Sequence, residues 1–103
     1  MILSHLTPII LAAQMIVRIA EEVPYIDVTA TCRAETTQIQ ASVQFCIQDE
    51  QRAHDRLVQE WAQFATSDKV GCSRTTQSGD SSGYVKLLTC LELARDAKKV
   101  PGN

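Results

Sequence analysis

The residues most able to do chemistry in this chain are its four cysteines, Cys32, Cys46, Cys72 and Cys90. Successive cysteines are separated by 13, 25 and 17 residues, so there is no C-x-x-C pair of the kind found in structural zinc sites and thioredoxin-type redox centres. An even number of cysteines in so short a chain is typical of disulfides formed in an oxidising compartment. The alternative is four reduced, buried cysteines that pack as small apolar side chains. We expect two disulfides, with no metal and no cofactor.

His54 is the only histidine after residue 20, and Glu50 lies four residues before it on the same side of a predicted helix. A carboxylate and an imidazole at this spacing have the groups of a proton-transfer pair or of half a metal site. No second histidine or nucleophile has a compatible position. We therefore favour a solvated helix pair and predict no catalytic residue here.

Hydroxyl and glycine clusters near residue 80 are the next candidates for a site. Ser81 and Ser82 beside Asp80 look like reactive hydroxyls, but no G-x-S-x-G turn surrounds them, and a loop followed by a helix cap explains them better. Gly79 and Gly83 are not followed by Lys-Ser/Thr in the register of a phosphate loop. Neither cluster predicts an enzyme.

Three aromatic residues have two alternative interpretations. Trp61, Phe64 and Tyr84 would form an exposed recognition patch or would pack in the core. Core packing is favoured, because Trp61 falls on the same helical stripe as Ala53 and Leu57.

Charge excludes two classes of partner. Ten Lys and Arg stand against twelve Asp and Glu, a net charge of -2, and the two signs alternate along the chain. Nucleic-acid binding by phosphate neutralisation requires a basic stripe, and attachment to an anionic membrane requires a polybasic segment. We expect neither, and the sequence leaves a protein partner and the oligomeric state undetermined.

The first twenty residues, MILSHLTPIILAAQMIVRIA, form an apolar run unlike the rest of the chain. Such a run resembles a secretory signal peptide. An uncleaved membrane anchor or an ordinary N-terminal apolar helix are the alternatives, and the run is short for a complete span. We predict a signal peptide over 1–20, an extended linker over 21–30 because Pro24 and β-branched residues disfavour a helix, and a single helical domain over 31–100.

Helical periodicity organises that domain. Apolar and small residues recur at spacings of three and four from Cys32 to Cys46, which indicates one helix. A second helix is predicted over 49–65 with a stripe of Ala53, Leu57, Trp61 and Phe64 or Ala65. A short turn at 67–72 and a polar loop at 73–83 precede a last helix over 84–99, with Ser82 as N-cap and an apolar face of Tyr84, Leu87, Leu88, Leu91 and Ala94.

These helices restrict the three pairings that four cysteines allow. Cys32 and Cys46 on one straight helix would lie about 21 Å apart, too far for a disulfide. With a helix break near residues 48–49, we favour Cys32–Cys72 with Cys46–Cys90, and keep Cys32–Cys90 with Cys46–Cys72 as the alternative. A continuous helix from about residue 41 to 65, preceded by a short turn at Cys32, is the competing arrangement. The expected fold class is all-α, a small disulfide-stapled bundle or helical hairpin of two to three helices.

Several motifs occur together in order: TCRAE at 31–35, C-x-x-D-E-Q-x-A at 46–53, L-x-x-x-W-x-x-F at 57–64, D-K-x-x-C at 68–72 and S-x-Y-V-x-L-L-T-C-L-E-x-A-R-D at 82–96. This order resembles small exported four-cysteine proteins of rhizobia and related alphaproteobacteria. The resemblance covers most of residues 25–97 and implies a signal peptide, four cysteines of the conserved type and a helical periplasmic domain. It implies no function, because that family is uncharacterised.

These observations lead us to expect a periplasmic or secreted protein that acts by binding, in a structural or protein-interaction role without catalysis. One alternative is a small periplasmic chaperone that exposes its apolar helix faces under acid stress, since protonating twelve carboxylates would make the chain strongly cationic. An enzyme of unknown type is the other alternative. Contact with a membrane is expected only through an uncleaved leader.

Overall fold

The structure, a computed structural model, describes residues 21–35, 40–76 and 82–99. These residues form four α-helices: α1 (Val28–Glu35), α2 (Gln40–Glu60), α3 (Thr66–Thr76) and α4 (Tyr84–Ala97), with a 3₁₀ turn at Trp61–Gln63 after α2. The predicted all-α, disulfide-stapled fold class is confirmed, with one helix more than the two to three expected. The signal-peptide prediction for 1–20 lies outside the described residues. Within the described ranges, no helix has the length and apolar character needed to cross a membrane.

The core lies between α2 and α4, whose apolar stripes face each other. On α2 the predicted stripe is buried from Ala53 through Leu57 to Trp61, and Phe64 continues it whereas Ala65 is exposed. Each large apolar side chain buried here contributes roughly 1.5–3 kcal/mol to stability. Core packing of the aromatic residues is therefore confirmed. The buried face of α4 is Tyr84, Leu87, Leu88 and Leu91, with Ala94 half-buried.

Helix α3 occupies the stretch that we predicted as a short turn and the start of a polar loop. Its buried side chains are Lys69, Cys72, Ser73 and Thr76, at the spacing of one helix face. The Thr76 hydroxyl donates a hydrogen bond to the Cys72 carbonyl at 2.7 Å, so this buried hydroxyl has a partner within the helix. Residues 73–76 are thus helical and the loop prediction was wrong there. Residues 77–81 lie outside the described ranges.

The segment predicted as an extended linker over 21–30 is packed, and its last three residues are helical. Residues 23–27 have no regular structure, and Ile26 is buried in the core. Asp27 then caps α1, because its Oδ1 accepts the backbone N–H groups of Thr29 and Ala30 at 3.1 and 3.3 Å. A helix of eight residues is too short to be stable by itself, so packing must hold α1 in place.

The disulfides are Cys32–Cys46 and Cys72–Cys90, with Cα–Cα distances of 5.6 and 5.8 Å. The favoured prediction, Cys32–Cys72 with Cys46–Cys90, was wrong, as was its alternative. Both assumed that Cys32 and Cys46 share one straight helix. Instead α1 ends at Glu35 and α2 begins at Gln40, so the two cysteines lie on different helices that pack together.

Helix α2 also runs without interruption through residues 48–49, where we expected a break. The competing arrangement, a long helix preceded by a short turn at Cys32, is closer to the structure. Two disulfides in a chain of this size are typical of proteins from oxidising compartments.

An ionic cluster fastens α2 to α4 at the end of the core marked by Phe64. Glu60 accepts from Arg56 at 2.8 Å, as the helical spacing predicts, and from Arg95 of α4 at 2.7 Å. Glu92 of α4 lies 3.0 Å from Arg56, which closes the cluster. The Arg95 hydrogen bond, followed by that of Arg56, holds the pKa of Glu60 below its usual value.

Candidate functional site

The N-terminal segment is fixed across α2 and α4 by Tyr84. The Tyr84 hydroxyl accepts the backbone N–H of Ile26 at 2.8 Å, a contact between residues 58 positions apart. Burial raises the pKa of Tyr84, so the hydroxyl stays protonated at neutral pH. This contact positions residues 25–29 beside α2, where they form one wall of a groove.

Glu50 provides the cap of α4 from a different helix. Its side chain is only 4% exposed, and its carboxylate accepts the backbone N–H groups of Tyr84 and Val85. Gly83 allows this approach, since it has φ 143° and a Cβ there would lie 3.1 Å from Glu50 Oε1. The predicted cap residue, Ser82, is bonded to the Thr31 hydroxyl instead, at 3.1 Å.

The electrostatics of this cap follow from its burial. A carboxylate at a helix N-terminus satisfies unpaired N–H groups and interacts favourably with the helix dipole. Desolvation is nevertheless the larger effect on Glu50, and it raises the pKa of this carboxyl above its usual value. The Glu50 carboxylate thus caps the N-terminus of α4. Our prediction of a solvated Glu50 was wrong, because the residue is buried.

His54 lies one turn further along α2 and also faces α4. Its ring meets the Tyr84 ring edge-on, with centroids 4.7 Å apart, and its Nδ1 lies 3.8 Å from the Asp55 carboxylate. With 41% of its side chain exposed, His54 is reachable from solvent. Glu50 and His54 therefore do not act as a pair. Glu50 caps α4, whereas His54 is partly exposed to solvent.

Two grooves meet at His54. The first, called here the His54 groove, has a volume of about 440 Å³, within the usual range for ligand sites. It is lined by residues 25–29 on one side and by Gln51, His54, Asp55 and Tyr84 on the other.

The second groove, called here the Trp61 groove, has a volume of about 310 Å³. It also includes His54 in its lining, and it lies between residues 21–23 and the α2 side chains. Val58, 57% exposed, and the edge of the otherwise buried Trp61 line it. The two grooves therefore adjoin at the His54 side chain, which lines both of them.

The charged side chains that line the two grooves are all acidic. Asp27 and Asp55 line the His54 groove, and Glu21 and Glu22 line the Trp61 groove. Among the described residues that line either groove there is no Lys or Arg. The surface is therefore acidic, with aromatic and apolar side chains between the carboxylates.

Groups that bind metals are not gathered here. All four cysteines are in disulfides. Over residues 21–35, 40–76 and 82–99, His, Cys, Asp and Glu side chains form no group of three suited to a metal ion. Gly79, Asp80 and Ser81, which we considered as reactive or phosphate-binding residues, lie outside the described ranges.

The sequence reasoning identified His54 but missed the residues opposite it. Tyr25 is 85% exposed at the rim of the His54 groove, yet it lies in a segment that we predicted as a linker. The one available signal was Asp27 two residues before Thr29, the spacing of a helix N-cap. Comparison of the chain with protein-family models, with curated proteins and with solved structures found no match.

Proposed function

We propose that this protein is a non-catalytic binding module of the periplasm or of the secreted fraction of a bacterium, and that it binds another protein through the surface around His54. The observation that carries this proposal is the pair of grooves that meet at His54, flanked by exposed Tyr25 and Val58. Exposed aromatic and apolar side chains set among polar groups are characteristic of protein-interaction surfaces.

The proposed compartment is supported by the two disulfides and by the composition of the first twenty residues. Disulfides persist where glutathione and thioredoxin do not reduce them, which includes the periplasm and the extracellular space. Both disulfides of this chain, together with the signal-like composition of residues 1–20, support export. The resemblance to exported four-cysteine proteins points the same way.

A binding role is supported by how the polar groups near the grooves are used. Asp27 caps α1, Glu50 caps α4, and the Tyr84 hydroxyl holds the backbone of Ile26. Catalytic groups need lone pairs or protons directed at a substrate. Here these groups hold the walls of the grooves in position, which is what a preformed binding surface requires.

The experiment is site-specific photo-cross-linking in cells that produce the full chain. A photoreactive amino acid replaces Tyr25 at the groove rim or, as the matched control, Phe45, which is 67% exposed on α2 but lines neither groove. We expect a cross-linked partner from position 25 and none from position 45. The purified partner should bind the wild-type protein at least tenfold more tightly than the Tyr25→Ala variant. Equal cross-linking at both positions, or none at position 25, would contradict the proposal.

A second candidate function, the acid-stress chaperone, is favoured by the ionic cluster at Glu60. Because the pKa of Glu60 is lowered in the native state, its stabilising effect is present above its ordinary value of 4.5 and is lost as the pH falls through the folded pKa. Acid thus weakens the contact between α2 and α4 over Phe64. A loosened core would expose apolar faces that bind unfolding clients.

Its test compares ANS fluorescence and suppression of client aggregation from about pH 7 to about pH 2. A chaperone of this kind gains both signals at low pH, and a Glu60→Gln variant gains them at higher pH than the wild type. Unchanged ANS fluorescence and unchanged client aggregation across this range would remove the candidate.

A further inference from the structure

We propose that the His54 groove receives a cationic side chain, Lys or Arg, from an extended basic segment of the partner protein. This inference rests on the proposed binding function and names the chemistry of the partner.

The aromatic walls suit a cation. The Tyr25 ring is 85% exposed at the rim, and Tyr84, only 6% exposed, lines the groove with its ring in a T-shaped contact with His54. Ammonium and guanidinium groups are attracted to the faces of aromatic rings within about 6 Å. A long Lys or Arg stem also covers apolar surface while its charged end reaches polar groups.

Two carboxylates complete the site. Asp27 and Asp55 come from opposite walls of the groove, one from the N-terminal segment and one from α2. Asp27 uses Oδ1 for the α1 cap, and the Asp55 carboxylate lies 3.8 Å from His54 Nδ1. A cation between them gains two favourable Coulomb interactions, one with each carboxylate.

The Trp61 groove explains why the occupant is a segment and not a lone cation. It shares His54 with the first groove and presents Glu21 and Glu22 beside exposed Val58. A chain that leaves the His54 groove therefore meets a second acidic surface with an apolar patch. Basic residues separated by apolar residues match this order along the two grooves.

Charge disfavours the other occupants. A second copy of this chain carries a net charge of -2 and would bring the same acidic surface against itself. Nucleic acids and anionic lipid headgroups would meet four carboxylates without a Lys or Arg among the described lining residues. A purely apolar segment would leave these carboxylates desolvated and unpaired.

The test measures fluorescence anisotropy of labelled peptides on the purified, disulfide-intact full chain. The probe is a ten-residue peptide in which lysines alternate with valines, and the comparison peptides carry glutamine or glutamate in place of each lysine. Variants are Asp55→Asn in the groove and Asp49→Asn, an exposed carboxylate on the same helix that lines neither groove. Both side chains are exposed, so both variants should fold, as circular dichroism would verify.

We expect the lysine peptide to bind and the other two peptides to bind at least tenfold more weakly. Asp55→Asn should weaken binding of the lysine peptide about tenfold, Asp49→Asn less than twofold, and added salt should weaken it further. Equal losses in the two variants would show attraction to net charge alone and overturn the proposal, as would equal binding of all three peptides or of none. Binding of a single capped lysine as tightly as the peptide would overturn the claim of an extended segment.

Failure here is distinguishable from failure of the proposed function. If no lysine peptide binds but position 25 still cross-links a partner, the basic segment is wrong and the binding function stands. If position 25 yields no partner, the binding function itself falls.

Discussion

The carboxylate of Glu50, in the middle of α2, accepts the backbone N–H of Tyr84 at the first turn of α4. The hydroxyl of the same tyrosine accepts the backbone N–H of Ile26. The first turn of α4 therefore contacts both α2 and the N-terminal segment. Replacing Glu50 by Ala should lower the free energy of unfolding by about 2 kcal/mol, because it leaves buried N–H groups without an acceptor. Urea unfolding measures this, with Asp49→Ala as an exposed control on α2. A loss in Glu50→Ala no larger than in the control would show that the cap contributes nothing.

The pH dependence of Glu50 has a definite sign. Burial raises the pKa of Glu50, so the fold favours the protonated form of this side chain over the ionised form. The resulting contribution to the free energy of unfolding is complete below the ordinary pKa of 4.5 and is lost as the pH rises through the folded pKa. We therefore expect the stability of the wild type, relative to Glu50→Gln, to decrease from about pH 4 to about pH 7. Urea unfolding of both proteins across this range tests it, and a difference that grows with pH would contradict it.

Glu60 should behave in the opposite way. Its lowered pKa means that its ion pairs with Arg95 and Arg56 stabilise the protein above about pH 4.5 and fail below the folded pKa. Glu60→Gln should cost about 1 kcal/mol at neutral pH, and this cost should vanish as the pH approaches 2. Thermal unfolding over this pH range measures the effect. A cost that does not change with pH would mean that the ion pairs are not its source.

Two glycines should respond to alanine with opposite signs. Gly83 has φ 143° and lies against Glu50, so Gly83→Ala should destabilise the protein by about 1–3 kcal/mol. Gly71 is on an exposed part of α3, and the space that an alanine methyl group would occupy is open, so Gly71→Ala should stabilise it by about 0.5–1 kcal/mol. Denaturant midpoints of the two variants provide the comparison. Destabilisation by Gly71→Ala would place this residue outside a regular helix.

The two disulfides should differ in what they hold. Cys32–Cys46 attaches the eight-residue α1 to α2, whereas Cys72–Cys90 joins α3 to α4, with Cys72 in the core. In a variant with both Cys32 and Cys46 changed to Ser, hydrogen exchange should speed up mainly in residues 28–35, with α2 and α4 protected.

The matched variant with Cys72 and Cys90 changed to Ser should lose about 3 kcal/mol of global stability. Uniform loss of protection in both double variants would contradict this division between a local and a global role.

The apolar stripes of α2 and α4 could be read from the sequence because Leu, Trp and Phe carry the helical period. The face of α3 could not, since its buried positions hold Lys69, Cys72, Ser73 and Thr76, and a polar face conceals the same period. The disulfide pairing failed for a different reason. It depended on whether residues between Cys32 and Cys46 continue one helix, and threonines there lower helix propensity without fixing where a helix ends.

The site was accessible from the sequence only in part. His54 was visible as the lone histidine of the domain, but its neighbours Tyr25 and Asp27 are brought to it by a hydrogen bond that spans 58 positions. Glu50 was interpreted as a partner for His54 because the two are four residues apart. Its actual partner, the start of α4, could be known only once the helices were packed.

The most direct test of the account is the disulfide map of protein taken from its native compartment with free thiols blocked by alkylation. Trypsin places each cysteine in its own peptide: one that ends at Arg33 and begins at Glu21 once the predicted leader over 1–20 has been removed, then 34–52, 70–74 and 87–95. We predict that, without reductant, the peptide ending at Arg33 is linked to 34–52 and 70–74 is linked to 87–95, with no alkylated cysteine. Alkylated cysteines would contradict the oxidising compartment, and a link between the peptide ending at Arg33 and 70–74 would contradict the scaffold that presents the grooves.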